Sequence, residues 1–288
     1  MSCSRYEKRF SRVIAYLHNN LAQELDLNQL ADIACMSPYH WHRIYSSYFA
    51  ESIVATVKRL RLQKAADLLA KTKLKIGYIG ELSGYPNLQS FTRIFSSVYG
   101  MPPARYRLHG SHTQFELSTD LNMSTERRNL AMFPVQIQQS SGHTLLGVAH
   151  QGAYMGISQA FDHLSGLVAT RRLYQAGAHL IGVYVDDPSR VAQEDLRSYA
   201  CITVTPEIQI SHALSPLHAV FIVAGKYAVL RYQGPYSDMQ AAYQWLFGVW
   251  LPNSGEEAAD SPAFEDYINN PRDTLPPDLL TDIYLPLL

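Results

Sequence analysis

The stretch 37–45, SPYHWHRIY, places two histidines, one arginine and three aromatic residues in nine positions. Three chemistries compete for it: a metal site, part of a catalytic centre, or a helix that reads DNA. Ser37 is a good helix N-cap, Pro38 suits a first helical turn, and Trp41, Ile44, Tyr45 and Tyr48 recur at the 3,4,7 spacing of one buried helix face. On such a helix His40 and His42 point about 200° apart, whereas a helical metal pair needs i,i+4 spacing. Chelation of one ion is thereby excluded. Tyr39, His42, Arg43 and Ser46 remain for the opposite, exposed face.

The stretch has a second copy. RIYSSYFA (43–50) returns as RIFSSVYG (93–100), so Arg43, Ile44, Ser46 and Ser47 correspond to Arg93, Ile94, Ser96 and Ser97. Each copy is preceded by a short amphipathic helix (Leu27 to Cys35, then Ile76 to Ser83) and a turn, CMSP or GYPN, with Asn87 placed to cap the second copy as Ser37 caps the first. A short helix, a tight turn and a second helix form the helix-turn-helix, whose second member lies in the major groove. The joining segment 52–73 lacks Pro and Gly and reads as one long helix. Such a connector suits two successive major grooves, roughly 34 Å apart.

Charge follows the same division. Residues 1–112 hold 15 Lys and Arg against 7 Asp and Glu, a net +8, while 113–288 hold 9 against 18, a net −9. The basic part suits a phosphate backbone and the acidic part repels one. Lys58, Arg59, Arg61, Lys64, Lys71, Lys73 and Lys75 read chiefly as a solvated face with some phosphate contacts. Cys3, Cys35 and Cys201 are scattered and in no metal-binding pattern, as expected of reduced thiols in a cytoplasmic protein. Neither a membrane-length apolar run nor a hydrophobic signal core is present, so no membrane partner is expected.

The acidic half repeats as well. VAHQGAYMGISQAFDHL (148–164) aligns with LRYQGPYSDMQAAYQWL (230–246) at an offset of 82, sharing Gln-Gly-x-Tyr. Both copies read strand, turn, helix and are followed by β-rich sequence, HLIGVYVDDP and TDIYLPLL. Two α+β modules related by a pseudo-two-fold leave a cleft where they meet, a common place for ligands. His143, His150 and His163 lie only in the first copy and read as structural. The chain has no GxSxG, P-loop, HExxH or Cys/His nucleophile signature. No enzyme, cofactor or metal is expected.

Residues about 6–108 resemble the DNA-binding domain of the AraC/XylS regulators, through LADIA, RLQKAADLL and above all SFTRIFSSVYGMPPARYR at 90–107. The resemblance places base-contacting positions on Tyr39, His42 and Arg43 and on Leu88, Gln89, Thr92 and Arg93; Ser46 joins them from the exposed face. It also casts Arg61 as a brace between the two units. The sequence departs from the family at Ala50, where Gly is usual. Leu88 stands where a polar base reader is common and suits a thymine methyl. Residues 132–288 resemble the GyrI-like effector-binding domain, through GVYVDDP, GKYAVLRYQGPY, WLPNSG, FEDYINNP and IYLPL. The two together resemble the Rob-like branch.

What the resemblance implies is a multi-domain chain: an all-α double helix-turn-helix (1–112), a linker (113–131) and an α+β GyrI-like domain of two repeated modules (132–288). The expected function is a transcription regulator that binds promoter or operator DNA, answers to a small-molecule effector, apolar or cationic, and addresses RNA polymerase. Glu265 is the implied charge partner of a lipophilic cation, with Tyr154, Tyr184, Tyr236, Trp245 and Tyr267 as aromatic walls. The alternative is a small-molecule hydrolase using Glu265 and Tyr154 or Tyr236, fused to a DNA-binding domain.

Overall fold

The computed structural model describes residues 5–109, 133–188, 191–212 and 215–288. The expected linker, 113–131, lies outside the described residues. The chain divides into two compact units: Met1–Met36 with Tyr48–Arg128, and Ser37–Ser47 with Asn129–Leu288.

The described part of the first unit is helical. Helix α1 (Arg5–Asn20) buries Tyr6, Phe10, Val13 and Leu17, a stripe at helical spacing. Helix α2 (Leu27–Ala34) is capped by the Asp26 carboxylate, which accepts from the Asn28 amide. Helix α3 (Trp41–Phe49) starts after a turn at 38–40 in which the Ser37 hydroxyl oxygen accepts from the Tyr39 amide at 3.2 Å. Regular helix thus begins three residues later than Pro38. The connector is one helix as expected, α4 (Ile53–Lys71), opened by Ser52. Helices α5 (Ile76–Leu82), α6 (Leu88–Tyr99) and α7 (Pro103–His109) complete the unit, with Asn87 capping α6 through the Ser90 amide at 2.9 Å. Leu62, Ala65, Leu69, Ile79, Phe91, Phe95 and Tyr106 form a common core. Arg61 donates to the carbonyls of Leu21 at 2.8 Å and Gln23 at 2.7 Å, tying α4 to the turn after α1.

The second unit is built on an eight-stranded antiparallel sheet. Its strands are β1 (Val135–Ser140), β2 (His143–Gln151), β3 (Leu180–Tyr184), β4 (Arg197–Thr203), β5 (Leu217–Ile222), β6 (Gly225–Gln233), β7 (Phe264–Tyr267) and β8 (Leu280–Leu287). Their order across the sheet is β1-β6-β8-β7-β3-β4-β2-β5. The offset of 82 seen in sequence maps β1 onto β5 and β2 onto β6 end for end. It also maps helix α8 (Ser158–Thr170) onto the start of α10 (Gln240–Trp245), which continues through a π-helical turn, Leu246–Trp250, into α11 (Leu251–Ser254). A further short helix, α9 (Pro206–His212), precedes β5. By topology β3 corresponds to β7 and β4 to β8.

The pseudo-two-fold passes between the central strands β3 and β7. Each module's first strand lies in the other module's half of the sheet: β1 pairs with β6 and β5 with β2. Leu146, Val148, Ala200 and Ile202 meet Ile157, Ala160, Leu164 and Val168 in the core beneath α8. Leu145, Ile181, Val183, Cys201, Tyr227, Val229 and Phe264 form a second cluster. The period of two in the strands separates the two sets.

Candidate functional site

Strands β3 and β7 pair antiparallel with Gly182 opposite Glu265 and Leu180 opposite Tyr267. Alternation puts Glu265 and Tyr267 on one face of the sheet. Glu265 is buried, at 6% exposure. Its two oxygens are each held by a phenol: Tyr243 on α10 donates to Oε1 and Tyr267 to Oε2, both at 2.8 Å. Tyr184, at the end of β3, reaches the Tyr267 hydroxyl at 2.7 Å. The absence of a side chain opposite Glu265 makes this possible. A Cβ at Gly182 would stand 2.8 Å from the Tyr267 hydroxyl and 3.0 Å from the Tyr184 ring, closer than packing permits.

Further rings surround these phenols. Tyr154 meets Tyr184 edge-on at 4.8 Å, while Phe161 and Tyr236, the repeat-mate of Tyr154, each meet Tyr267 at 5.4 Å. The Tyr154 hydroxyl donates to the Asp186 carbonyl at 2.6 Å and accepts from the Asp186 amide at 3.0 Å. Burial pushes the Glu265 carboxyl up from its ordinary value; the hydroxyls of Tyr243 and Tyr267 and the positive charge of Arg43 oppose this. Burial, with the carboxylate's charge, pushes Tyr243, Tyr267 and Tyr184 up as well, and burial takes Tyr154 up to about 12. At neutral pH these hydroxyls therefore stay protonated and serve as donors.

Glu265, Tyr154, Tyr184, Tyr236 and Tyr267 are thus brought into one cluster. Trp245 does not join them. It lies two residues beyond Tyr243, about 200° around the helix, and is buried edge-on against Phe133 at 5.8 Å. Tyr243 went unrecognised in the sequence, although the offset of 82 aligns it with Phe161 and Tyr236 with Tyr154. That alignment was the available signal: both modules send two aromatics from the same positions towards one seam.

The expected DNA-reading residues divide. On α6, Leu88 is 50% exposed, Gln89 and Arg93 are exposed and Thr92 is half-buried. On and before α3, Tyr39 is 41% exposed and Ser46 half-buried, but His42 is buried at 3% exposure, against the expectation of an exposed face. Its ring lies 4.2 Å from that of Trp41. A pattern of apolar spacing assigns the buried stripe correctly but says nothing of what covers the other side. Arg43 is also largely covered, with 15% of its side chain exposed. It donates to the Asp186 carbonyl at 3.1 Å, sits 4.0 Å from the Asp187 carboxylate, and lies over the rings of Tyr243 at 5.5 Å and Phe247 at 5.6 Å. No group of three or more His, Cys, Asp or Glu able to hold a metal occurs among the described residues.

Comparison with known proteins gives this arrangement a family. Residues 133–288, more than half of the chain, match the GyrI-like small molecule binding domain, and residues 30–109 match a helix-turn-helix domain. The chain is 24% identical over 250 residues to the transcriptional regulator Rob of Salmonella typhimurium, covering 83% of each protein. It is 28% identical over 102 residues to the HTH-type transcriptional regulator YbfP of Bacillus subtilis, covering 35% of each, so that only about a third of YbfP's length is spanned. Among solved structures, EcmrR in its DNA complex is similar to 81% of this chain over 80% of its own, at a TM-score of 0.48 and 13% identity. No described helix is long and apolar enough to cross a membrane. The chain belongs to the GyrI-like small molecule binding family, and by joining that domain to an AraC-type helix-turn-helix it carries the architecture of the AraC-type transcription regulators.

Proposed function

We propose that this chain is a cytoplasmic, DNA-binding transcription regulator whose second unit binds an aromatic or otherwise lipophilic cation. The observation that carries the effector reading is a buried carboxylate at the seam of two modules, ringed by tyrosines. A desolvated carboxylate is costly unless paired, and aromatic faces attract a cation that has shed its water. Glu265 supplies the charge; Tyr154, Tyr184, Tyr236, Tyr243 and Tyr267 supply the walls. Tyr39, Arg43 and Ser46 on the first helix-turn-helix, and Leu88, Gln89, Thr92 and Arg93 on the second, are the residues proposed to meet operator DNA, with RNA polymerase the partner addressed at the promoter. Hydrolysis is the less favoured use of the cluster, because both carboxylate oxygens already accept from phenols and a general base must reach the proton it takes.

The test is calorimetry on the full chain with tetraphenylphosphonium and with neutral triphenylmethanol. Glu265→Gln keeps the shape and removes the charge. It should weaken the cation by about 2–5 kcal/mol, the usual cost of deleting one partner of a buried charge pair, and leave the neutral compound almost unaffected. Equal affinity of wild type and variant for the cation would remove Glu265 from the site. Turnover of an activated ester such as p-nitrophenyl acetate that vanishes with Glu265→Gln would move the chain to the hydrolase reading.

A further inference from the structure

A cation of the chain's own, Arg43, lies against one wall of the cluster just described. Arg43 lies over the faces of Tyr243 and Phe247, which are stacked at 6.3 Å with an interplanar angle of 10°, so that the guanidinium spans two successive rings of one helix. Tyr243 is the same residue whose hydroxyl holds the Glu265 carboxylate. The guanidinium also shares the Asp186 carbonyl with the hydroxyl of Tyr154, a second wall of the cluster. Burial against aromatic faces and hydrogen bonding of this kind are what a cationic effector would need, and Arg43 has both.

Neighbouring residues hold the segment in place. The Ser37 hydroxyl donates to the Asp260 carboxylate at 2.8 Å, and His40 Nε2 donates to the Ser261 carbonyl at 2.7 Å. The His40 ring stacks on Phe247 at 5.6 Å. At Gly248 the approach is so close that an added Cβ would stand 2.6 Å from the Ser47 carbonyl oxygen and 2.8 Å from its Cβ. Because the obstacle is backbone, it cannot swing aside. A seat fitted at four positions, from Ser37 to Ser47, differs from a single stray ion pair.

We propose that Arg43 acts as a tethered stand-in for the effector: while it occupies the aromatic cradle the first reading helix is withheld from DNA, and a lipophilic cation that takes the cradle sets that helix free. The proposal rests on the reading of Glu265 and its tyrosines as a cation site. It adds a competitor, and with it a sign for regulation. Since the cation and DNA both favour the released state, each raises the affinity of the other by the same factor. The apparent affinity of either is reduced by the fraction of molecules already released, so a chain that is docked nine times in ten binds about tenfold more weakly than one that is not.

The experiment compares four full-length chains in calorimetry with tetraphenylphosphonium: wild type, Arg43→Met, Gly248→Ala and Glu265→Gln. Arg43→Met keeps an unbranched apolar stem and removes the charge. Gly248→Ala leaves Arg43 and Glu265 in place and makes the seat too tight, and thermal melting checks that it folds. Both should bind the cation about tenfold more tightly than wild type. Saturating cation should raise wild-type affinity for a duplex selected from a random pool about tenfold, and should change that of Gly248→Ala by less than twofold. If Arg43→Met and Gly248→Ala bind the cation no more tightly than wild type, while Glu265→Gln loses it, the competition is refuted and the cation site stands. If none of the four binds the cation, the cation site itself is refuted and the competition with it.

Discussion

The two reading helices share Arg, Ile and Ser-Ser at matching positions, yet their surroundings differ. On α6 the proposed reading face, with Leu88, Gln89 and Arg93, is open to solvent. On α3 the equivalent arginine is covered by aromatic rings and the His42 ring is buried. Their ends differ too. Helix α6 terminates at Gly100 with φ +70°, the left-handed conformation glycine adopts freely, whereas α3 terminates at Ala50 with φ +54°. Duplicated sequence therefore specifies duplicated local structure, but what each copy can touch is decided by the residues facing it.

The largest expected effect separates the two arginines. Arg93→Ala should cost about 1–3 kcal/mol on a selected duplex and relax sequence preference, as a lost base contact does. Arg43→Ala should cost less in the absence of effector, because it removes a reading contact and the rings' hold on the helix together. With saturating tetraphenylphosphonium the two losses should converge. Equal losses by fluorescence anisotropy before any cation is added would break the comparison.

A smaller effect is a pH dependence confined to α3. Burial, and then the nearby charge of Arg43, pull His40 down to about 3, while its bond to the Ser261 carbonyl pulls the other way. A base with a depressed pKa binds fewer protons when seated. The seated state is therefore favoured above the ordinary histidine value near 6.5 and loses ground as pH falls below it. Between pH 7.5 and 5.5 the ratio of released to seated chains should grow by up to about tenfold, which for a chain seated nine times in ten is a gain of about fivefold in duplex affinity. The same titration of His40→Gln is the control, since it retains Tyr39 and Arg43 beside the ring, and Asp260, which holds Ser37. Parallel curves for the two chains would exclude His40 as the cause.

The smallest concerns the helix ends. Ala50 is exposed, so Ala50→Gly gives up little packing and relieves a left-handed alanine. The variant should be more stable by about 0.5–1 kcal/mol in denaturant titration; a loss of that size would show that the alanine side chain contributes packing at this turn.

The helices of the first unit were legible because each is locally marked: Asp26, Ser52 and Asn87 cap, and buried residues recur at helical spacing. The second unit's repeat was legible for a similar reason, since Gln-Gly-x-Tyr and the flanking strand and helix recur intact. What was hidden depends on distant partners. Nothing in residues 135–140 announces that they pair with 225–230, because a strand's pattern records which face is buried and not which neighbour it meets. Trp245 and Tyr243 lie two residues apart on one helix, and only the packing tells the core tryptophan from the phenol that binds Glu265. The covering of Arg43 arises likewise from residues more than a hundred positions away.

The exchange of β1 and β5 makes the two modules depend on each other. Half of the sheet cannot be cut out with its own sequence, since each module has given away its first strand and borrowed the other's. A free half-length chain would leave one edge of β2 or β6 bare and would carry, in its own leading strand, the piece needed to cover an identical copy. Such a chain closes only by trading strands with a twin. The 82-residue period thus belongs to two modules that hold each other through an exchanged strand. The repeat is not exact at the axis, where a carboxylate stands on one side, at Glu265, and a bare glycine faces it from the other, at Gly182.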